Sequence, residues 1–217
     1  MNGVNSYRCV MARTRWSDGR NRYGDDVTLD FVNTVDWRLS PERSEDWFDS
    51  YSDMVEWAVW IGWLTASVGR ALKKKGLEDR RASARSLARV KRLRESLFRA
   101  FKALSESKTP KASDIDQINR NLAAAMSRMN LRTADTAVEL NWTIQPDDLL
   151  PFVPELTWKA AQLLASDQTA RIRMCAAEDC GWLFLDKSRN RKRRWCTMKT
   201  CGNRAKARAY YRRQSTT

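Results

Sequence analysis

Cys175-Ala-Ala-Glu-Asp-Cys180, followed fifteen residues later by Cys196-Thr-Met-Lys-Thr-Cys201, is the stretch that decides the fold of the C-terminal part of this chain. Each pair encloses four residues, the pattern of two knuckles that face one another across a loop. Zinc takes four ligands in a tetrahedron, with thiolate sulfurs at about 2.3 Å, and two short loops of two cysteines each can converge on it from opposite sides. The chain has no histidine. A closed zinc site must then be made by Cys175, Cys180, Cys196 and Cys201, and four thiolates leave no position for a reactive water, so the Zn2+ is structural. Two disulfides, or an iron–sulfur or redox centre, are the alternatives; a reducing compartment favours metal. The fifth cysteine, Cys9, stands apart and reads as incidental.

The missing histidine also excludes Ser-His-Asp and Cys-His nucleophiles, HExxH metalloprotease sites and mixed Cys/His fingers. No phosphate loop or dinucleotide fingerprint is visible, and the expectation is that the protein is not an enzyme. Of 217 residues, 40 are Lys or Arg and 26 Asp or Glu, giving a formal charge of +14. The excess is concentrated: residues 171–217 carry 14 basic and 3 acidic side chains, whereas residues 1–170 carry 26 and 23. A local charge of +11 attracts polyanions, nucleic acid first. A basic module of this size is marginal without a staple, and zinc binding worth about 10–16 kcal/mol in comparable peptides supplies one.

The length fits one ordinary domain plus a small appendage. Residues 1–24 read as a flexible leader without a secretory h-region. The most apolar run, Met54 to Val68, is short and contains Glu56, so it reads as a buried helix and not a membrane span. Cytoplasmic, nucleoid-associated localisation is expected. Val27 to Val32 reads as a short strand or the start of a helix. Ser50 or Ser52 caps a helix to about Ala66, with Trp57, Trp60 and Trp63 widening its buried face. A helix from about Leu77 to Ser105 buries one stripe including Val90, Leu97 and Phe101. Ser113 with Asp116 resembles a capping box opening a helix through Ile118, Ala125 and Met129. The period then changes to two: Val138, Leu140, Trp142 and Ile144 alternate with polar residues, a half-buried strand closed by Pro146. Pro154 opens a last helix of this domain through Leu164. The fold class is α+β: a mostly helical N-terminal domain with a small sheet, over residues 25–168, then a small treble-clef-like zinc finger over 169–217.

The finger reads strand, knuckle, strand, basic loop, knuckle, helix. The run from Cys175 to Asp186, then Ser188-Arg-Asn-Arg191, then Arg194-Trp-Cys-Thr-Met-Lys-Thr-Cys201-Gly-Asn-Arg204, is similar to the CGNR zinc finger family, named for Cys201-Gly202-Asn203-Arg204. Upstream, Leu29-Asp-Phe-Val-Asn-Thr34 and the Trp-rich helix resemble the ABATE domain that precedes this finger in stress-induced bacterial transcription regulators. The resemblance implies a DNA-binding finger on a larger domain that senses a ligand.

Phosphate and base contacts are expected from the loop Lys187, Arg189, Asn190, Arg191, Lys192, Arg193 and Arg194, and from Arg204, Lys206, Arg208 and Arg212 on the last helix, where Arg204 and Arg208 share a face. Solvation alone is the plain alternative for such a loop, and Trp182 and Trp195 read as module core. Asp30, Asn33, Trp37 and Arg38 mix polar groups into an apolar context and are candidates for a ligand pocket; satisfying backbone groups at the end of an element is the competing role. The expected partners are double-stranded DNA, a small-molecule effector and a second copy of the chain, with no membrane. The alternative function is an RNA-binding or protein-docking zinc module without ligand regulation, for which Tyr210-Tyr211 is the nominated stacking pair.

Overall fold

The computed structural model describes residues 24–145 and 147–214. The expected leader, apart from Gly24, and with it Cys9, lies outside the described residues, as does Pro146.

The segment left open between strand and helix is a helix, α1 (Val27–Val32), started by Asp26, whose carboxylate accepts from Thr28 N at 2.8 Å. A two-residue ladder follows, β1 (Val35–Asp36) against β2 (Glu45–Asp46), antiparallel. Ser50 then caps α2 (Tyr51–Trp60) through a reciprocal box with Asp53. The helix stops at Trp60, short of Ala66: Gly62 takes φ +87, and Trp63 N and Leu64 N both turn back to Ala58 O. The helix expected from about Leu77 to Ser105 is α4 (Arg80–Ser105), and a separate helix, α3 (Ala66–Glu78), precedes it. Asp79 divides them by capping α4, accepting from Ala82 N at 2.8 Å. At Gly76 the α3 backbone passes so close to the Tyr51 ring that a Cβ would stand 2.6 Å from it.

The helix α5 (Ala112–Met126) follows Lys111 with no side-chain cap. Ser113 and Asp116 lie inside it, so the expected capping box does not form; Asp114 between them is drawn instead to Arg99 at 2.5 Å. Met129 belongs not to that helix but to β3 (Met129–Ala134), which pairs antiparallel with β4 (Ala137–Trp142). The second strand is where period two places it, but of its apolar side only Trp142 is half-buried: Val138 and Leu140 are 66% and 60% exposed. Pro154 sits in the first turn of α6 (Val153–Leu164). A 3-10 turn leads into the hairpin β5 (Ile172–Met174) and β6 (Leu183–Leu185), and after the second knuckle α7 (Asn203–Gln214) ends the described chain.

The main core is built on α4, which contributes Val90, Leu93, Leu97, Ala100 and Phe101. Around it pack α1, α2 and α6, with Trp57 touching Phe31, Phe48, Trp63 and Phe152 at ring distances of 5.5–6.3 Å. Ile172, Leu183 and Leu185 of the finger hairpin join this same core. The finger is therefore seated on the helical body by shared apolar burial. Arg94, on the buried side of α4, is only 2% exposed and is neutralised by Asp46 at 2.7 and 2.8 Å and by Glu95 at 2.9 Å. Among the described residues no helix is long and apolar enough to cross a membrane.

Candidate metal centre and nucleic-acid interface

Cys175 follows directly from β5 and Cys180 precedes the turn at Gly181 (φ +74), while Cys196 closes the basic loop and Cys201 lies in the turn that opens into α7. All four are buried and unbridged, and their sulfurs lie within 4.8 Å of one another. Two of the separations are 3.8 Å (Cys180–Cys196) and 3.5 Å (Cys196–Cys201). A tetrahedron with metal–sulfur bonds of about 2.3 Å has edges of about 3.8 Å, so the sulfurs already stand at the spacing zinc requires. Without a cation, hydrogen bonding among the sulfurs divides their ionisation, pulling the Cys175 and Cys201 thiols down and pushing Cys180 and Cys196 up. A dication lets all four ionise together. The donor set fits Zn2+ in a closed structural site.

Each residue after the last ligand has a local task. A Cβ at Gly202 would lie 2.5 Å from Met198 Sδ, so a larger residue there would have to displace the Met198 side chain. Asn203 donates to Lys199 O at 3.3 Å. Arg204 donates to the Cys201 sulfur at 3.1 Å, stands 3.6 Å from Asp179 and lies over the Trp37 ring at 4.1 Å. Trp182 is buried with the cysteines, Trp195 packs on that cluster, and Trp182 Nε1 donates to Val35 O at 3.0 Å.

Of the residues nominated for a ligand pocket, Asn33, Trp37 and Arg38 make contacts that join body to finger. The Asn33 carboxamide takes both backbone groups of Leu183, accepting from its N–H at 2.9 Å and donating to its carbonyl at 2.7 Å. Arg38 N donates to Cys180 O at 3.0 Å, and its guanidinium holds Glu95 at 2.8 Å over the Phe98 ring. Trp37 contacts Arg43 through one cation–π pair and Arg204 through another. Asp30 accepts from Gly24 N at 2.7 Å. These contacts match the competing role, satisfying groups where elements end. Sequence separations of about 150 residues hide such pairings from any local pattern.

The expected nucleic-acid residues divide into two sets. In the loop, Asp186 is buried and accepts from Ser188 N at 2.9 Å and Arg193 N at 3.0 Å. Burial would raise its carboxyl, but these hydrogen bonds hold it below the ordinary range. Arg193 is built into the module: it reaches Asp25, the carbonyls of Trp195 and Cys196, and the Phe184 ring. Lys187 donates to Asp25 O at 2.7 Å. Arg189, Asn190, Arg191 and Lys192 are exposed and their side chains have no partner among the described residues; Arg194 is exposed beside the Trp195 ring. On α7, Arg208 is paired with Asp179 at 2.8 Å and Glu178 at 3.8 Å, and Arg212 with Glu178 at 3.7 Å. With Arg194 and Arg204 they line a cleft of about 210 Å3 against the first knuckle. Lys206 is exposed on the other side of the helix and has no side-chain partner among the described residues.

The described residues thus form a helical body carrying a four-cysteine, zinc-finger-like module with a basic loop. Residues 25–170 match the ABATE family, whose description reads "Putative stress-induced transcription regulator", and residues 171–214 match the CGNR zinc finger. The chain belongs to the ABATE family and ends in a CGNR zinc finger. No curated protein matches it.

Proposed function

We propose that this protein is a DNA-binding transcription regulator in which the loop Lys187–Arg194 makes the principal phosphate contacts. The observation that carries the reading is the division of cations: Arg189, Arg191, Lys192 and Arg194 are exposed and engage no acid among the described residues, whereas Arg208 and Arg212 face Glu178 and Asp179. Charges already neutralised within the protein release few counterions; free ones release one each. Zinc and Asp186 hold the loop in shape, so its cations do not have to be ordered on binding. Four neutralised phosphates give a slope of log affinity against log salt of about −3.6. The finger's seat on α1 and β1 supports a regulatory role for the body, because any ligand that shifts those elements shifts the finger.

The effector reading is supported by a cleft of about 420 Å3 between α2 and α3, with Val55, Val59 and Trp60 on its wall and Arg70 and Lys73 at its edge. That volume lies in the range of small-molecule sites. No step of the reading calls for catalysis. RNA binding has one observation in its favour, the exposed Tyr210 and Tyr211 rings set edge to face at 5.7 Å. Competition between duplex DNA and single-stranded RNA for the zinc-loaded protein, followed by fluorescence anisotropy at several salt concentrations, separates the two. Preference for duplex with a steep salt slope supports the proposal; preference for single-stranded RNA, abolished by replacing both tyrosines, overturns it.

A further inference from the structure

The β3–β4 hairpin is amphipathic, and its apolar face is half-buried at the Met129/Trp142 end and uncovered from Leu131 and Leu140 to the turn. Register puts Met129 opposite Trp142, Leu131 opposite Leu140 and Thr133 opposite Val138, all on one face. The other face holds Asn130 with Asn141 and Arg132 with Glu139, closed by hydrogen bonds and an ion pair across the strands. Leu131 is 70%, Val138 66% and Leu140 60% exposed, and Ile144, just beyond the strand, 64%. No side chain of the hairpin enters either buried cluster. A two-stranded hairpin by itself is at best marginally stable in water, and a strand face that alternates so regularly is one that something covers.

We propose that this face is covered by the same hairpin of a second copy, forming a two-fold dimer. Charge selects the occupant. Two copies of a +14 protein repel over most of their surface. From Met129 to Ile144, however, Arg132 stands against Asp135 and Glu139, so this is a place where two such molecules approach without that cost. Shape agrees with charge. The face is wide at its Met129/Trp142 end, narrow at its Thr133/Val138 end and carries the Leu131/Leu140 pair between them. A two-fold axis running across the strands reverses one copy on the other, so wide meets narrow and leucine pair meets leucine pair. The face is about 20 Å by 10 Å, roughly 400 Å2 over the two copies and below the range of stable specific interfaces, so the dimer is weak and forms only with rising concentration.

Sedimentation of the full-length, zinc-loaded protein over a concentration series tests this. The apparent mass is expected to rise from 25.2 kDa toward twice that value. Leu131→Glu with Leu140→Glu should hold the mass at the monomer value, while Leu140→Met should leave the association unchanged. Circular dichroism and zinc content guard against a variant that has not folded. Leu140→Glu and Leu140→Lys, each monomeric alone, should associate when mixed, which damage to the monomer would not produce. A wild-type protein monomeric into the hundreds of micromolar overturns the proposal and gives the face to another occupant. A dimer that survives the double glutamate variant overturns it equally.

Discussion

Replacing Asn33 by alanine should destabilise the body and finger together. The carboxamide stands where a third strand would lie beside β6, meeting the Leu183 N–H at 2.9 Å and its carbonyl at 2.7 Å in a buried setting. Alanine leaves both backbone groups buried without partners, at about 1–3 kcal/mol each, so a loss near 3 kcal/mol is expected. In a chain of this length that lowers the unfolding midpoint by about 6–12 °C. Asn33→Asp sharpens the case: a carboxylate still accepts from Leu183 N–H but cannot donate to the carbonyl, so aspartate keeps one bond, loses the other and adds a buried charge. Urea unfolding by tryptophan fluorescence, run beside zinc release to a chromogenic chelator, reads both parts of the molecule. Asn33→Ala should move the two signals together to lower urea. A shift below about 0.5 kcal/mol, or a finger that keeps its metal at the wild-type midpoint while the body weakens, would refute the shared seat.

Arg204→Ala removes the donor to the Cys201 sulfur and should weaken zinc binding about 10- to 100-fold, measured by chelator competition. Asp46→Asn removes the bidentate partner of buried Arg94, leaving Glu95 as its remaining counter-charge, and should cost about 3 kcal/mol in urea unfolding at neutral pH. The Asp46 carboxyl is held at about 2: burial works upward, but Arg94 and Lys91 outweigh it. A folded value below the unfolded one means that this stabilisation is complete above about pH 4 and lost as pH falls toward 2, and the asparagine variant should lack that part of the acid dependence. Removing zinc with a chelator should unfold the cysteine cluster and its loop, seen as a change in Trp182 and Trp195 emission, and abolish duplex binding.

The metal ligands were legible because metal-ligand spacing is local: each knuckle is closed within six residues, and the absent histidine removed the competing donor sets. The tetrapeptide after the second knuckle was legible as a pattern, but the work of Arg204 was not, since Trp37 and Asp179 reach it from distant chain segments. The same is true of the α7 arginines. Their helical spacing is real, yet the acids that meet them sit in the first knuckle, and only folding brings the two together. Arg94 was hidden for a different reason: polar residues in a helical stripe read as solvent-facing until a partner such as Asp46, in a two-residue strand, makes burial affordable. Asp79, by contrast, carried a readable cap signal inside an apolar periodicity that continues across it. At β4 the alternation identified the strand correctly; whether its apolar face is covered within the chain is not a local property.

The salt dependence of duplex binding, compared between two variants with zinc content measured on the same samples, tests the central claim most directly. Replacing Arg189, Arg191 and Lys192 by alanine removes three free cations and should flatten the slope of log affinity against log salt by about 2.7, while Arg208→Ala with Arg212→Ala, which removes cations already paired, should leave it nearly unchanged. A loop variant that keeps the wild-type slope with its zinc in place, beside a helix variant that loses it, would contradict the account.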